Sequence, residues 1–291
     1  MKKKGIRQGL KFILDEFVYG GHLLSFSAVG VILTSALLLN IRLSCDFLMI
    51  SYLGSQTVYY YNHYKEFKGD LISNPERTEH IRKYRNFIPF IIFCFILIIL
   101  AIIFFYKKTS IIYFVIILLL GGLLYTLFLK NYTKKIIAFK NIFASLIGAL
   151  LVLFPVIYYY SLSYLNLSIF LLATFVFLKW FVTTSFLDIK DIESDRKEKF
   201  LTLPIILNRE MLFKLLSLIT ILSLVPLVVS LYLDLLPKFS VVLILTIPYT
   251  FYYLRKIKSG NTNNIFLNYI FLDGEYIIWP IAIIFTKLFY V

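Results

Sequence analysis

Residues 86–106 read NFIPFIIFCFILIILAIIFFY, a run without a single charged side chain. A helix needs about 20 predominantly apolar residues to cross the hydrocarbon core of a bilayer. Backbone amides in lipid must be satisfied within their own segment, so the stretch predicts a transmembrane α-helix. It does not alternate polar with apolar, which excludes an outer-membrane barrel strand. The same reading applied outward along the chain gives nine helices, near 17–40, 43–61, 86–106, 109–129, 141–161, 164–187, 211–233, 236–254 and 265–290. The expected fold is therefore all-α: a polytopic membrane protein of nine transmembrane helices, read as one domain over residues 1–291.

Composition agrees, since 60% of the 291 residues are hydrophobic and only 16% are charged. The formal charge of +14 does not point to nucleic acid, because the basic residues sit in short clusters between apolar runs and not along one soluble face. The two cysteines, Cys45 and Cys94, lie in apolar segments without a CxxC spacing, which predicts buried thiols. The N-terminal basic residues and the apolar run after them superficially resemble a signal peptide. That run, from Phe17 to Asn40, is too long for one and leads into further spans, so it is read as a retained first helix. Ile6, Leu10, Ile13 and Leu14 fall near one helical face, so residues 1–16 read as an interfacial segment.

The basic residues also orient the chain. Arg42, Lys107, Lys108, Lys238 and Lys287 fall on one side of the predicted membrane and Lys179 within a span. The rest of the 30 Lys and Arg lie in the N-terminal segment and in the loops of the other side. Positive charge is retained in the cytoplasm, so the expected N-terminus is cytoplasmic and the C-terminus outside.

Two loops on that cytoplasmic side differ from the others. The one after the second span reads YNHYKEFKGDLISNPERTEHIRKYR, and the one after the sixth reads FLDIKDIESDRKEKFLTLPIILNRE. Asn62, Glu66 and Asp70 are spaced i, i+4, i+8; Asp188, Asp191 and Asp195 are spaced i, i+3, i+7. If each segment continues its membrane helix, each spacing places three oxygen-bearing side chains on one face at the lipid–water boundary. Stacked like charges repel unless a cation sits among them. Mg²⁺ prefers hard oxygen ligands and completes its shell with water and phosphate oxygens. Facing acidic surfaces would hold a diphosphate through bridging ions, with Arg77, Lys134, Lys140 and Arg196 as direct phosphate partners. Four helices separate the loops, so an antiparallel bundle can bring them together.

At these residues the chain resembles the UbiA superfamily of intramembrane prenyltransferases. The second Asp-rich motif of that superfamily, D-x-x-D-x-x-x-D, is matched by Asp188, Asp191 and Asp195, and Arg196, Thr202 and Pro204 resemble its continuation. The first, N-D-x-x-D-x-x-x-D, is matched in part: Asn62 and Asp70 agree, Glu66 replaces one aspartate and His63 another. Asn74, Pro75 and Arg77 resemble the continuation of the first motif. Tyr125, Lys130, Lys134, Lys140 and Asn141 resemble the region between the fourth and fifth helices. The resemblance implies a bundle around a central cavity capped by two cytoplasmic polar loops. There Mg²⁺ would help a prenyl diphosphate ionise, and a small aromatic or lipid acceptor would capture the allylic cation. It leaves open a membrane terpene cyclase that works on the diphosphate without an acceptor. A neutral histidine is a poor magnesium ligand, so fewer carboxylates are expected at the first site. His63 either bonds a phosphate oxygen, transfers a proton, or packs among the interfacial tyrosines.

Asp273 and Glu275 interrupt the last span, about 13 Å from its cytoplasmic start at the usual helical rise. Carboxylates at that depth are costly and face cavities, which makes them candidates for acceptor binding or proton removal. The alternative is that Gly274 breaks the helix and the acids pair with Lys179 or a water. An ion-coupled transporter would also place acids in the membrane, but it predicts inverted repeats that the chain does not show.

Overall fold

The computed structural model describes residues 2–106, 112, 115–116, 121–122, 125, 128–160, 162–259 and 265–289, and most of the described residues are helical, with no strand among them. Helix α1 (Lys2–Tyr19) is followed by α2 (His22–Leu38), and the two meet at a bend of 57°. The bend needs glycine. Gly21 has φ 84°, and a Cβ there would stand 2.3 Å from the Tyr59 ring. The predicted first span thus begins at His22, and α1 lies beyond the elbow with Leu10, Phe12, Ile13 and Leu14 exposed along it. Helix α1 is tied to the polar end of the bundle by Glu16 on His80 Nε2 at 2.6 Å and by Tyr19, whose hydroxyl donates to Glu76 at 2.5 Å.

Helix α3 (Cys45–Ser73) has 29 residues, about 43 Å at 1.5 Å per residue, against about 30 Å of hydrocarbon. Its last turns therefore project beyond the membrane with Asn62, Glu66 and Asp70. Pro75 starts α4 (Pro75–Arg82), which leads to α5 (Ile88–Tyr106), whose Phe90, Phe93, Phe104 and Phe105 face outward. The predicted fourth span, 109–129, lies largely outside the described residues. Then come α6 (Phe139–Tyr159), α7 (Leu167–Leu187), α8 (Ile192–Glu198), α9 (Leu203–Ile206), α10 (Arg209–Leu222) and α11 (Leu224–Tyr232). A 3-10 segment, Lys238–Leu245, runs into α12 (Thr246–Ser259), and α13 (Ile265–Phe289) closes the chain.

Among the described residues five helical runs are long and apolar enough to cross a membrane, and six if the α1–α2 elbow counts as one. This chain is an integral membrane protein, although the count of nine is not reproduced by that criterion. The shortfall has local causes. Gln56, Tyr59, Tyr60, Asn62 and His63 dilute α3, and the 3-10 turn shortens α12. Neither cysteine is buried as predicted: Cys45 is exposed and Cys94 half-buried, because both point away from the packed interior of the bundle.

The core runs between α2, α3, α6, α7 and α13, through Val31, Ile32, Phe47, Val152, Phe175 and Trp279. Lipid is as apolar as these side chains, so close packing has to hold the helices together. Helices α2 and α13 approach so closely that a Cβ on Gly30 would stand 2.3 Å from the Tyr276 carbonyl oxygen. A buried ion pair adds direction: Lys179 Nζ of α7 lies 2.6 Å from Glu275 Oε1 of α13. Thr250 and Tyr253 of α12 donate to the same carboxylate at 3.3 and 3.4 Å. Helix α13 is unbroken at Gly274.

Candidate active site

The polar end of the bundle brings the two predicted constellations together. Asn74, at the junction of α3 and α4, donates through Nδ2 to Asp191 Oδ1 at 3.2 Å. Gly69 of α3 faces α8, where a Cβ would sit in ordinary contact, 3.7 Å from Glu198 Oε1. The first constellation lies on continuous helix, as its spacing predicts. The second does not: α7 ends at Leu187, Asp188 is its C-cap, and Asp191 is the N-cap of α8. The i, i+3, i+7 spacing is thus realised across a turn.

Lys140, at the start of α6, holds the second set together, with Nζ 2.8 Å from Asp188 Oδ1 and 3.9 Å from Asp191 Oδ2. Asn141 Nδ2 donates to Asp188 Oδ2 at 2.7 Å. Lys190 donates to both oxygens of Asp191 at 3.0 and 3.1 Å, and stands over the Tyr269 ring. Burial works against the Asp191 carboxylate, but Lys190 and Lys140 override it and hold the group at about 2. Asp195 differs. It is 4% exposed, its Oδ2 is buried without a hydrogen-bond partner, and burial together with Asp188 and Asp191 pushes it up to about 6 against the pull of Lys140.

In the first set Asp70 accepts from Arg77 Nη2 at 3.0 Å and lies 2.6 Å from His63 Nδ1. Burial opposes its charge, but His63 and Arg77 hold its carboxyl well below the ordinary range. The His63 ring packs edge-on against Tyr59, 4.3 Å between centroids, and burial lowers its pKa despite Asp70, so it is neutral at neutral pH. Of the readings posed for His63, packing against a tyrosine is present, and its ring nitrogen is turned to Asp70. Glu66 turns to Lys130, 2.9 Å away, and Lys130 also reaches Glu198 at 3.2 Å. Asn62 is half-buried on the same helix. Arg77 is buried and donates to the Tyr269 hydroxyl at 3.0 Å, and Tyr269 in turn donates to Asn74 Oδ1 at 2.8 Å.

The remaining predicted residues separate into rim and interior. Lys134 and Arg196 are exposed, and neither is in an ion pair among the described residues. The Tyr125 ring stacks on Phe143 and its hydroxyl lies 3.4 Å from Thr133 Oγ1. Asp273 is buried on α13, one turn from Tyr269, and its backbone carbonyl accepts from Ser27 Oγ at 2.6 Å. Lys190 and Tyr269 were not singled out from sequence. Lys190 could have been, since it lies inside the second motif between Asp188 and Asp191. Tyr269 could not, because nothing in its surroundings in the sequence links it to Asn74.

Among the described residues no three acidic, histidine or cysteine side chains already form a metal cage. Asp188, Asp191, Asp70 and Glu66 are each neutralised by a lysine or arginine. The donor set nevertheless fits Mg²⁺, because it consists of hard oxygens and one buried carboxylate oxygen has no partner. A cation there would relieve the Asp195 oxygen and free the lysines for phosphate.

Fold and site together define a polytopic helical membrane protein whose bundle carries an acidic, cation-balanced cap at one end. The model of the UbiA prenyltransferase family matches residues 23–273, and the chain belongs to that family. It is similar to the solved structure of a UbiA homolog from Aeropyrum pernix K1, with TM-score 0.66 and 13% identity over 91% of this chain and 97% of that one. A UbiA homolog from Archaeoglobus fulgidus bound to GPP and Mg²⁺ gives TM-score 0.63 and 14% identity over 93% of this chain and 99% of that one. A structure concerned with digeranylgeranylglyceryl phosphate synthase gives 0.60 and 16% over 94% and 98%. Identities this low establish likeness of fold. No curated protein matches the chain in sequence.

Proposed function

We propose that this chain is a Mg²⁺-dependent prenyltransferase acting within the membrane, which moves a prenyl group from an isoprenoid diphosphate to a small aromatic or lipid acceptor. The observation that carries the reading is the cap itself, where the carboxylates of two distant loops interleave with Lys140, Lys190, Lys130 and Arg77, bridged by Asn74 and Asp191. Such an array, neither purely acidic nor purely basic, suits a metal–diphosphate complex, which presents both signs of charge. The relatives bound to GPP and to DMAPP with Mg²⁺ support the same chemistry.

In this reading Asp188, Asp191 and Asp195 would hold the ion together with Asn62, Glu66 and Asp70. The chemistry that bound Mg²⁺ supplies is neutralisation of the charge that grows on the departing diphosphate. Lys140, Lys190 and Arg77 would donate to phosphate oxygens, with Lys134 and Arg196 reaching in from the rim. Arg77 is positioned by Tyr269 and Asp70, so it stays aimed when the substrate arrives. His63, neutral, bonds Asp70 and orients it. The prenyl chain lies among the bundle's aromatic side chains, whose faces stabilise the allylic cation. The distribution of Lys and Arg supports an active site facing the cytoplasm.

The test is product extraction. Purified protein is incubated with Mg²⁺ and prenyl diphosphates of graded length, with and without candidate acceptors. A prenylated acceptor formed only with Mg²⁺ is expected. Diphosphate release accompanied by cyclic hydrocarbons in the absence of acceptor would replace the transferase with a cyclase, and no turnover of any diphosphate would overturn both.

A further inference from the structure

We propose that Asp273 binds the acceptor, and that the acceptor presents a neutral hydroxyl, phenolic or alcoholic, and not a carboxylate or phosphate. The inference rests on the prenyl-transfer reading and narrows it. Asp273 is 6% exposed within the last helix, and among the described residues no hydrogen bond or ion pair engages its carboxylate. Glu275, two residues on, is the opposite case, fully committed to Lys179, Thr250 and Tyr253. An unpartnered carboxylate at membrane depth is costly, and the cost is relieved by a ligand that brings a donor.

Its position suits that ligand. Tyr269, one turn earlier on α13, is tied to Arg77 and Asn74 of the cap, so Asp273 lies about 6 Å further into the membrane along the helix. The cap cations Lys190 and Arg77 are already paired, with Asp191 and Asp70, at 3.0 Å each. Ser27 holds the Asp273 carbonyl from α2 and fixes the backbone that carries the carboxylate. An anionic acceptor would meet like charge here. The buried cation on α7 that could offset it, Lys179, is already neutralised by Glu275 at 2.6 Å. In the transfer, the acceptor's hydroxyl proton passes to the Asp273 carboxylate as an acceptor electron pair forms the new bond to C1 of the prenyl chain. The bond from C1 to the diphosphate oxygen breaks, and its electron pair leaves with the diphosphate.

Binding can be read without turnover. The chain has two tryptophans, Trp180 and Trp279, and both contact the Tyr276 ring, 4.7 and 4.9 Å between centroids, on the helix that carries Asp273. Quenching of tryptophan fluorescence in the purified full chain is titrated with 4-hydroxybenzyl alcohol and with 4-hydroxybenzoate, which share a phenol and differ in charge. The wild type should bind the alcohol at least about tenfold more tightly, the scale set by leaving a buried charge unpaired. Asp273→Asn should abolish that preference, and Asp273→Ser serves if the first variant does not fold. Tighter binding of the benzoate, quenching by neither compound, or an unchanged preference in both variants would overturn the proposal. Mg²⁺-dependent binding of a non-ionising thiolo analogue of geranyl diphosphate is measured alongside. Its absence from the wild type would fell the prenyl-transfer reading, whereas its presence with no preference for the alcohol would fell only the role of Asp273.

Discussion

Asp195→Asn should stabilise the magnesium-free protein while destroying its response to magnesium. Asp195 is buried beside Asp188 and Asp191, and its carboxyl is pushed up from its ordinary 3.8 to about 6. An acid whose folded value lies above its unfolded value binds a proton more tightly when folded, so stability falls as pH rises from about 4 to about 6 and is flat above that. The gap, at about 1.36 kcal/mol for each pH unit, amounts to at most roughly 3 kcal/mol at pH 7. Asparagine keeps the shape, removes the charge, and offers an N–H to the neighbouring carboxylates. In EDTA the variant should melt several degrees above wild type at pH 7.5, and the difference should close as pH falls toward 4.5. With Mg²⁺ and a diphosphate the order should reverse, because only the wild type gains a ligand. Thermal melts of detergent-solubilised protein across that pH range decide the matter. A variant that melts below wild type in EDTA at pH 7.5, or that gains as much from Mg²⁺ as wild type does, would show that Asp195 is not an unpaired acid awaiting a cation.

The other predictions concern single contacts. His63→Asp sets a second carboxylate against Asp70, so it should lower stability without Mg²⁺ yet keep or raise Mg²⁺-dependent turnover; melts and product yield at pH 7.5 check both halves. Glu275→Leu strands Lys179 in the membrane interior and should cost about 3–5 kcal/mol, whereas Lys179→Met with Glu275→Leu should recover most of it, as denaturation of both variants will reveal. Cysteine placed at Ser73 in a background without Cys45 and Cys94 should react with an impermeant probe only from the cytoplasmic side, and cysteine at Lys238 only from outside; the reverse pattern would remove the orientation proposed for the site.

Residues were legible from sequence where local periodicity sets the structure. Helix α3 carries Asn62, Glu66 and Asp70 on one continuous helix because nothing between Cys45 and Ser73 interrupts it. The uncharged run that includes α5 could be read directly. At Asp188 the same logic fails, since the spacing fits one helix face and the chain instead turns between α7 and α8. The turn is held from outside the segment: Asn141 and Lys140 grip Asp188, and Asn74 grips Asp191. Such long-range contacts leave no local trace, and for the same reason Tyr269 was invisible. Asp273 and Glu275 look alike in sequence, and only the position of Lys179 across the helix interface separates the paired acid from the unpaired one.

Diphosphate release from a prenyl diphosphate decides whether the two acidic loops form one magnesium–diphosphate site. Wild type, Asp191→Ala and Asp195→Ala are compared with Mg²⁺ and with EDTA, each first shown to be folded by its melting profile. Wild type should release diphosphate only with Mg²⁺, and both variants should lose nearly all release. Release at the wild-type rate by both would contradict the shared site.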